Sequence, residues 1–432
     1  MHPIIKKLAH FFGFFQLTDS FEKEYGLIKA GRGYSRTSVN TSIFRKSSII
    51  SDGKVQFISF YDAKGRIVIG KRTLGEKKFI LKKQPFRGNV RDAHNIISLG
   101  LDGDGYLHLA YGMHNTPLQY ARSIVPGSLS MERIDTTDGI EEMKVTYPEF
   151  HILPAGDLLF AYRSGKSGNG NMVIKRYLLK EQKWETVQTS LLDGEGERNA
   201  YWQMCIDDNG IIHISWVWRE TGDVSTNHDL CYARSRDFGQ TWEKSDGTPY
   251  ELPIREGNAD IIWKIPQNSK LMNQTSMTAD NESRPYIATY WRDMDSLVPQ
   301  YHLVWLSEDG WKESRVGERK TPFSLKGGGT KMVPISRPLV LVRNKEVWVI
   351  FRDIERGGNV TIAKSSDLEN GKWILEDITP FEVGAWEPTY DENLWKLEGK
   401  LNLLVQVTRQ GDGEKVINKG EKESTIWIQE CL

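Results

Sequence analysis

The chain has 432 residues, of which 39% are hydrophobic and 26% are charged. Because one compact core rarely grows beyond about 250–300 residues, this length predicts several domains or one large repeat architecture. The 57 basic residues balance 57 acidic ones, which argues against a dedicated nucleic-acid binder, and the ordinary apolar content argues against a disordered chain.

The first 25 residues are predicted to form a short N-terminal extension. Its apolar patch, residues 8–15, is interrupted by His10 and Gly13. The patch is too short to cross a membrane and lacks a small-residue cleavage site, so we interpret it as a packing helix, with a secretory signal remnant as the alternative. Three cysteines cannot form a disulfide framework, which leaves the compartment open.

Short alternating runs bounded by turn residues recur after residue 25, where long helical periodicity is nearly absent. The segments 55–61 and 211–218 are examples, and this pattern is typical of antiparallel strands. Many short strands in so long a chain predict a closed repeat fold, because a large open sheet would expose unpaired edges.

A turn followed by a strand with a polar end repeats along the chain. We identify seven such ends, about 50 to 70 residues apart, which is typical of propeller blades. The ends are Tyr61-Asp62, Met113-His114, Tyr162-Arg163, Trp218-Arg219, Trp291-Arg292, Phe351-Arg352 and Thr408-Arg409. The sequence therefore predicts an all-β, seven-bladed β-propeller with four-stranded antiparallel blades, forming one domain over residues 26–432.

An Asp-box pattern, S-x-D-x-G-x-T-W, supports this fold. Residues 235–242 read Ser-Arg-Asp-Phe-Gly-Gln-Thr-Trp, and residues 365–373 are a looser copy. In this hairpin turn the aspartate and glycine satisfy the turn backbone while the tryptophan packs between strands. The motif is structural and does not indicate catalysis.

The repeat brings cationic and polar side chains to one end of successive hairpins. Residues equally distant from an antiparallel turn face each other, which places His94 opposite His114. The same arithmetic pairs Arg163 with a residue near Tyr147, Arg219 with Asn199, Arg292 with Asn273, and Arg352 with Arg337. In a propeller this end is the mouth of the central channel.

Unpaired arginines at one mouth repel each other, so the rim favours an anionic ligand. The alternative is that Glu220, Asp293 and Asp353 neutralise the arginines in salt bridges between blades. Strand alternation sends sequence neighbours to opposite faces, which weakens that alternative for adjacent pairs. We therefore predict an anion-binding rim.

Several segments resemble a known family of propellers. They are Arg91-Asp92-Ala93-His94-Asn95, the run 102–108, the run 111–118, Val145-Thr146-Tyr147-Pro148, Tyr162-Arg163-Ser164-Gly165 and the run 227–233. Together they are similar to the BNR-4 propellers that include ulvan lyases and related rhamnosyl-glucuronate lyases. The resemblance covers about residues 40–352 and is most specific between 91 and 250.

The resemblance implies a polysaccharide lyase that cleaves rhamnosyl-(1→4)-glucuronate linkages by β-elimination. Two histidines, a tyrosine and arginines line the cleft of such lyases, which assigns His94, His114 and Tyr147 to catalysis. We expect His114 and Tyr147 to transfer protons, and His94 to act as the complementary base or to neutralise the carboxylate. Arginines near Tyr147 would lower its pKa.

Eight residues are candidates for substrate binding: Arg163, Arg219, Asn199, Arg292, Arg337, Arg352, Tyr162 and Arg176. Arg163 and Arg219 are expected to stabilise the dianion that develops on the uronate during elimination, because arginine is permanently charged and can bind a carboxylate with two hydrogen bonds. Tyr162 and Arg176 are alternatives, since strand alternation could expose Tyr162 instead of Tyr147.

Two cysteines and two histidines are a candidate structural zinc site. Cys205 and His213 flank one turn, and His228 and Cys231 begin the next strand. Four protein ligands would close a tetrahedral site. A buried thiol pair with an exposed histidine is the equal alternative. No organic cofactor is predicted.

Two other functions stay open at this stage. A sialidase would use an arginine cluster and a Tyr–Glu nucleophile pair, for which Glu149 and Glu387 are the available acids. A non-catalytic propeller would bind an acidic glycan without cleaving it. The partner expected in each case is an acidic poly- or oligosaccharide, with no nucleic acid or membrane, and the protein is expected to be a monomer. The family resemblance implies a secreted or periplasmic location.

Overall fold

The computed structural model describes residues 19–134 and 140–431. These residues form antiparallel sheets with two short α-helices, α1 (Asp19–Glu24) and α2 (Glu392–Glu398). No helix in the described ranges is long and apolar enough to cross a membrane. Residues 1–18 of the predicted extension lie outside the described part, and the domain division stays a prediction.

The strands form six four-stranded units and one three-stranded sheet, which we number in chain order. Sheet 1 contains β2 (Ile49–Ser51), β3 (Val55–Tyr61), β4 (Arg66–Thr73) and β5 (Ile80–Arg87). Sheet 2 contains β6 (Ile97–Leu101), β7 (Leu107–Tyr111), β8 (Tyr120–Ser123) and β9 (Met131–Arg133). Sheet 3 contains β10 (Val145–Ile152), β11 (Leu158–Lys166), β12 (Asn169–Leu178) and β13 (Lys183–Gln188).

The second half of the chain repeats this arrangement. Sheet 4 contains β14 (Asn199–Ile206), β15 (Ile212–Arg219), β16 (Asn227–Ser235) and β17 (Asp260–Trp263). Sheet 5 contains β18 (Ser276–Ala279), β19 (Pro285–Arg292), β20 (Pro299–Ser307) and β21 (Gly310–Arg315). Sheet 6 contains β22 (Leu339–Arg343), β23 (Glu346–Arg352), β24 (Val360–Asp367) and β25 (Lys372–Asp377).

The terminal sheet joins both ends of the described chain. It consists of β26 (Leu401–Gln406), β27 (Glu423–Cys431) and β1 (Leu27–Tyr34). Strand β1 pairs with β27, and β27 pairs with β26. Sheets 3 and 4 are connected by a single parallel bridge between Gly170 and Asn199.

An aspartate at the hairpin turn explains why the first two strands of several sheets fold alike. Asp102 accepts hydrogen bonds from the backbone of Asp104 at 3.1 Å and Tyr106 at 2.8 Å, and lies 3.1 Å from His108 Nε2. Asp207 repeats the pattern, with His213 Nε2 at 3.1 Å. Each aspartate therefore closes a turn and fixes the histidine six residues later as a packed side chain.

Hydrophobic clusters connect neighbouring sheets. One cluster combines side chains of sheets 1 and 2, such as Phe57 and Leu109, and another combines sheets 3 and 4, such as Leu159 and Trp216. The terminal sheet shares one cluster with sheet 6 and another with sheet 1. The core is therefore distributed between the faces of successive sheets.

The Asp-box at residues 235–242 has the predicted geometry. Asp237 accepts hydrogen bonds from Ser235 Oγ at 2.8 Å, Thr241 N at 2.9 Å and Thr241 Oγ1 at 2.6 Å. Trp242 donates to the carbonyl of Gly239 at 2.9 Å and packs in the core. The motif is a structural turn that anchors the outer part of sheet 4.

The segment 35–48, between β1 and β2, is almost entirely buried although it has no regular structure. Arg45 holds it in place, donating to the carbonyls of Asn40 at 2.7 Å, Ile97 at 3.0 Å and Ser59. Buried backbone oxygens need such donors. The segment carries Phe44 to the ends of sheets 2 and 3, where the candidate site lies.

The prediction of an all-β chain built from four-stranded antiparallel sheets is confirmed. The terminal sheet differs, because it has three strands. The closed ring of seven blades stays a prediction.

Candidate active site

Two histidines face each other at the end of sheet 2. The register pairs Ile97 with Tyr111, and its continuation places His94 before β6 opposite His114 after β7. Their rings stack with centroids 4.3 Å apart and planes 19° apart. The predicted pairing of these two residues is therefore correct.

Asp92 connects the two imidazoles. Its Oδ2 lies 2.6 Å from His114 Nδ1, and its Oδ1 lies 3.1 Å from His94 Nδ1. Partial burial alone would raise the pKa of Asp92, but the hydrogen bonds to both histidines hold it well below its usual range. The carboxylate is ionised and fixes both rings through their Nδ1 atoms.

His94 has a second acidic neighbour. Glu414 Oε1 lies 3.0 Å from His94 Nδ1, and the other face of the ring stacks on Phe44 with centroids 5.3 Å apart. Burial lowers the pKa of His94, but its hydrogen bonds with Asp92 and Glu414 outweigh burial and raise the pKa to about 9. His94 is consequently a cation at neutral pH.

Tyr147 and Arg163 come from the first two strands of sheet 3. Arg163 pairs with Thr146 in the ladder, and the register shifts after Thr146, where Tyr147 has a φ of 58°. A left-handed backbone is unusual for a tyrosine and directs its ring toward the histidines. The guanidinium of Arg163 lies 5.0 Å from the Tyr147 ring centre and donates to Asn115 Oδ1 at 2.8 Å.

Sheet 4 supplies a second pair of the same kind. Asn199 is opposite Arg219 in the ladder, as the sequence predicted, and Tyr201 follows on the same face of β14. The guanidinium of Arg219 lies 5.3 Å from the Tyr201 ring centre. The two tyrosines meet edge to face with centroids 6.0 Å apart.

The two tyrosines differ in acidity. Burial, reinforced by neighbouring Tyr201, raises the pKa of Tyr147 despite the nearby arginines. Burial also acts on Tyr201, but the charges of Arg219 and Arg163 outweigh it and lower the pKa of Tyr201. The arginines act to lower the pKa of Tyr147, as expected, but burial and Tyr201 outweigh them, so the expected net lowering is wrong. Tyr147 is a neutral hydroxyl at neutral pH.

The arginines of sheets 5 and 6 are engaged by the protein. Arg337 pairs with Glu387 through two contacts, Nε to Oε1 at 2.8 Å and Nη2 to Oε2 at 2.7 Å. Arg292 donates to the carbonyl of Ser296 at 2.7 Å, and Arg352 donates to that of Val333 at 3.1 Å. Arg163 and Arg219 also donate within the protein, Arg163 to Asn115 Oδ1 at 2.8 Å and Arg219 to the carbonyl of Thr221 at 3.1 Å, so no member of the predicted arginine ring is free of protein hydrogen bonds. These two differ from the others because they lie over the site tyrosines.

Arg219 and Arg352 do not form salt bridges with the acidic residues that follow them in sequence, as the alternative to an anion-binding rim required. Glu220 lies 3.0 Å from Arg198 rather than pairing with Arg219. Asp353 lies 2.6 Å from Arg319 rather than pairing with Arg352. Strand alternation explains this outcome, since neighbours in a strand point to opposite faces.

A loop segment connects sheet 4 with the acidic residue that contacts His94. We call residues 326–332, between β21 and β22, the strap. Gly327 donates to Asp223 Oδ1 at 2.7 Å at one end, and Thr330 Oγ1 donates to Glu414 Oε1 at 2.6 Å at the other. Glu414 also contacts His94. The strap therefore links the loop after β15 to the histidine pair through a hydrogen bond at each of its ends.

Tyr162 and Arg176 lie away from the site, so their inclusion was wrong. Tyr162 is completely buried in the cluster between sheets 2 and 3, on the face of β11 opposite Arg163. Arg176 lies at the other end of β12, where it bonds Asp157 Oδ2 at 2.8 Å and covers the ring of Phe238.

The predicted zinc site is also wrong. Cys205 pairs with His213, whereas Cys231 pairs with Trp216, so the cysteines project from opposite faces of sheet 4. His213 is held by Asp207 and Tyr232, and His228 by Glu220 and Asp229. Burial raises the pKa of both thiols, which opposes the thiolate form that zinc requires.

Among the described residues, one group has the composition of a metal site: a ligand atom each from Asp92, His94 and His114, within 4.8 Å of one another. The lone pair of an imidazole nitrogen lies in the ring plane. Rings stacked at 19° with centroids 4.3 Å apart keep these lone pairs in two separate, nearly parallel planes, so a single ion between the rings would lie outside both planes. The group therefore fits a hydrogen-bonded cluster better than a shared metal ion.

Sequence reasoning missed four residues of the site: Asp92, Tyr201, Phe44 and Glu414. Two of them had a local signal, because Asp92 is two residues from His94 and Tyr201 is two residues from Asn199 on the same strand face. Phe44 and Glu414 had none. They reach the site from irregular segments far away in sequence.

Residues 55–319 match the family model described as the BNR repeat-containing family. The chain belongs to this family. Among solved structures, the polysaccharide lyase Uly1 is similar, with a TM-score of 0.65 and 16% identity over 89% of this chain and 90% of that one. The two proteins therefore share a fold over most of their length.

A second solved lyase has the same fold. The PL25 ulvan lyase matches with a TM-score of 0.62 and 14% identity over 90% of this chain and 96% of that one. A structure of a PL25 ulvan lyase bound to -[GlcA(1-4)Rha3S]- matches with a TM-score of 0.62 and 13% identity over the same shares. No curated protein matches the chain significantly.

Proposed function

We propose that this BNR repeat-containing family member is a polysaccharide lyase that cleaves a uronic-acid-containing glycan by β-elimination. The observation that carries the proposal is the Asp92-bridged histidine pair beside Tyr147 and Arg163. This set combines a proton acceptor, a neutral hydroxyl donor and fixed cations within one small site. Elimination at a uronate needs these three elements.

The reaction removes the C5 proton of the uronate and breaks the bond between C4 and the glycosidic oxygen. The electron pair of the C5–H bond becomes the C4=C5 double bond, and the leaving oxygen takes up a proton. The intermediate state carries extra negative charge on the carboxylate, so cationic donors lower the barrier. His94, Arg163 and Arg219 supply this charge in the proposal.

His114 is the proposed base and Tyr147 the proposed acid. The side chain of His114 is 29% exposed, so a substrate can reach it, and its Nδ1 is occupied by Asp92, which leaves Nε2 to accept a proton. Tyr147 keeps its proton, because burial raises its pKa, and can pass it to the leaving oxygen. Positioned acids and bases of this kind contribute about 10²–10⁴-fold each.

The bond that we propose the enzyme cleaves is a rhamnosyl-(1→4)-glucuronate linkage. The resemblance of the motifs supports it, as does the fold shared with a lyase bound to an oligosaccharide of glucuronate and sulfated rhamnose. Ulvan and a rhamnose-capped glucuronate glycan are therefore the substrates to compare.

We also infer that the seven sheets close into a ring of seven blades within one catalytic domain. Support comes from the terminal sheet, which packs on sheet 6 and on sheet 1 and joins both ends of the described chain. A monomer in a secreted or periplasmic location completes the proposal and follows from the family resemblance alone.

A sialidase is less well supported. Glu387 is bound to Arg337, and Glu149 accepts a hydrogen bond from Trp202 Nε1 at 2.6 Å. Neither acid is therefore placed to activate a tyrosine nucleophile. A non-catalytic glycan-binding propeller is the remaining alternative.

The test is ultraviolet absorbance of the unsaturated uronate, measured with both glycans for the wild type and His114→Gln. We expect absorbance to rise with the wild type and to be lost with the variant. Detectable glycan binding with no absorbance change on either substrate would refute elimination of these glycans and favour the binding propeller.

A further inference from the structure

Asp92 uses both carboxylate oxygens to hold the histidine pair. Oδ1 accepts from the backbone N–H of His94 at 2.9 Å as well as contacting its ring, and Oδ2 accepts from Asn95 Nδ2 at 3.0 Å as well as contacting His114. Neither Nε2 atom has a hydrogen-bond partner among the described residues. Both Nε2 atoms are therefore available to a ligand.

The two histidines have unequal surroundings. His94 is 8% exposed, lies between the rings of Phe44 and His114, and contacts Asp92 and Glu414. His114 is more exposed and contacts only Asp92 among acidic groups of the described chain. The carboxylate of Glu414 therefore gives His94 a second acidic contact that His114 lacks.

We propose that Asp92 and Glu414 are positioning residues that give the two histidines different roles: His94, between two carboxylates, donates from Nε2 to the substrate carboxylate, and His114, whose Nδ1 is held by Asp92, accepts the C5 proton at Nε2. This inference rests on the proposed lyase function. In this arrangement His94 binds the substrate carboxylate directly beside C5, the carbon that loses its proton to His114.

Charge balance supports this division. Two carboxylates surround His94, and the rise in its pKa follows from them. A second imidazolium 4.3 Å away would be repelled by the first, while the single shared carboxylate is already engaged. Other charged or titratable groups near the pair, among the described residues, include Tyr147, whose ring lies 5.7 Å from that of His94, Arg163, which lies over Tyr147, and Arg337, which lies over Phe44.

Imidazole nitrogen NMR on the full-length protein, labelled at its histidines, tests the charge assignment without a substrate. At pH 8 we expect both nitrogens of His94 to be protonated. Glu414→Gln should lower the pKa of His94 by roughly 1–2 units, because one opposite charge is lost. Glu313→Gln is the matched control, since Glu313 contacts the distant His302 at 2.6 Å and the change should leave His94 unaltered.

Kinetics provide the second readout. Glu414→Gln should raise KM for the glycan more than it lowers kcat, and Asp92→Asn should lower kcat by about 10²-fold or more because the tautomer of His114 is no longer fixed. A neutral His94 at pH 8, or a His94 whose protonation is unchanged by Glu414→Gln, would overturn the inference. Loss of the lyase function would instead show as absent turnover with the nitrogen spectra as expected.

Discussion

Removing the hydroxyl group of Tyr147 should lower the rate of catalysis while leaving the stability of the protein almost unchanged. Tyr147→Phe keeps the aromatic ring, which contacts Phe44, Tyr201 and the guanidinium of Arg163 at 5.0 Å. The Tyr147 hydroxyl has no hydrogen-bond partner among the described residues, so its loss breaks no bond in the folded protein. We expect the free energy of unfolding to change by less than about 0.5 kcal/mol.

The effect on catalysis should be much larger. Loss of a general acid lowers kcat by about 10²–10⁴-fold, which corresponds to about 3–5 kcal/mol at 1.36 kcal/mol per factor of ten. Tyr201→Phe is the matched control. It removes a hydrogen bond of 3.0 Å to Ser167 and should cost about 0.5–1.5 kcal/mol of stability, with less than a tenfold loss of kcat.

The assay is the initial rate of unsaturated uronate formation under saturating glycan, together with thermal unfolding of both variants. A Tyr147→Phe protein that keeps more than a tenth of the wild-type kcat would refute Tyr147 as the acid. If Tyr201→Phe lost activity instead, the tyrosine with the lowered pKa would be the proton carrier.

Three further predictions concern stability. Glu387→Gln leaves buried Arg337 without its charged partner and should cost about 3–5 kcal/mol in urea unfolding, whereas Glu369→Gln in an exposed pair should cost less than about 1 kcal/mol. Asp237→Ala removes three turn hydrogen bonds and should lower stability by about 1–3 kcal/mol with kcat unchanged. The pKa of His94, raised to about 9 from 6.5, contributes stability that is complete below pH 6.5 and is lost as pH rises through about 9, which unfolding at a series of pH values can measure.

The sequence predicted those parts of the site that depend on regular strand pairing. His94 opposite His114 and Asn199 opposite Arg219 follow from counting outward from a turn, since the antiparallel register is fixed once the turn is known. The alternating pattern and the Asp-box likewise predicted the sheets, because both reflect local backbone geometry.

Other features depend on contacts that no local pattern encodes. The zinc prediction failed because Cys205 on β14 and Cys231 on β16 are separated by β15 and project from opposite faces of the sheet. The acidity of Tyr147 was misjudged because burial outweighs the arginines, and burial depends on Phe44, which arrives from the segment before β2. Strand alternation alone could not supply either fact.

The strap explains why a symmetric repeat produces an asymmetric site. Each sheet offers a polar residue at the same strand end, yet the bonds from Gly327 to Asp223 and from Thr330 to Glu414 fix the strap between the loop after β15 and the loop after β26. The candidate catalytic groups His94, His114 and Tyr147 come from sheets 2 and 3, at the end of the site that the strap reaches through Glu414. Because Thr330 binds Glu414, the strap also holds the second carboxylate on His94, so the position of this loop and the charge on His94 are linked.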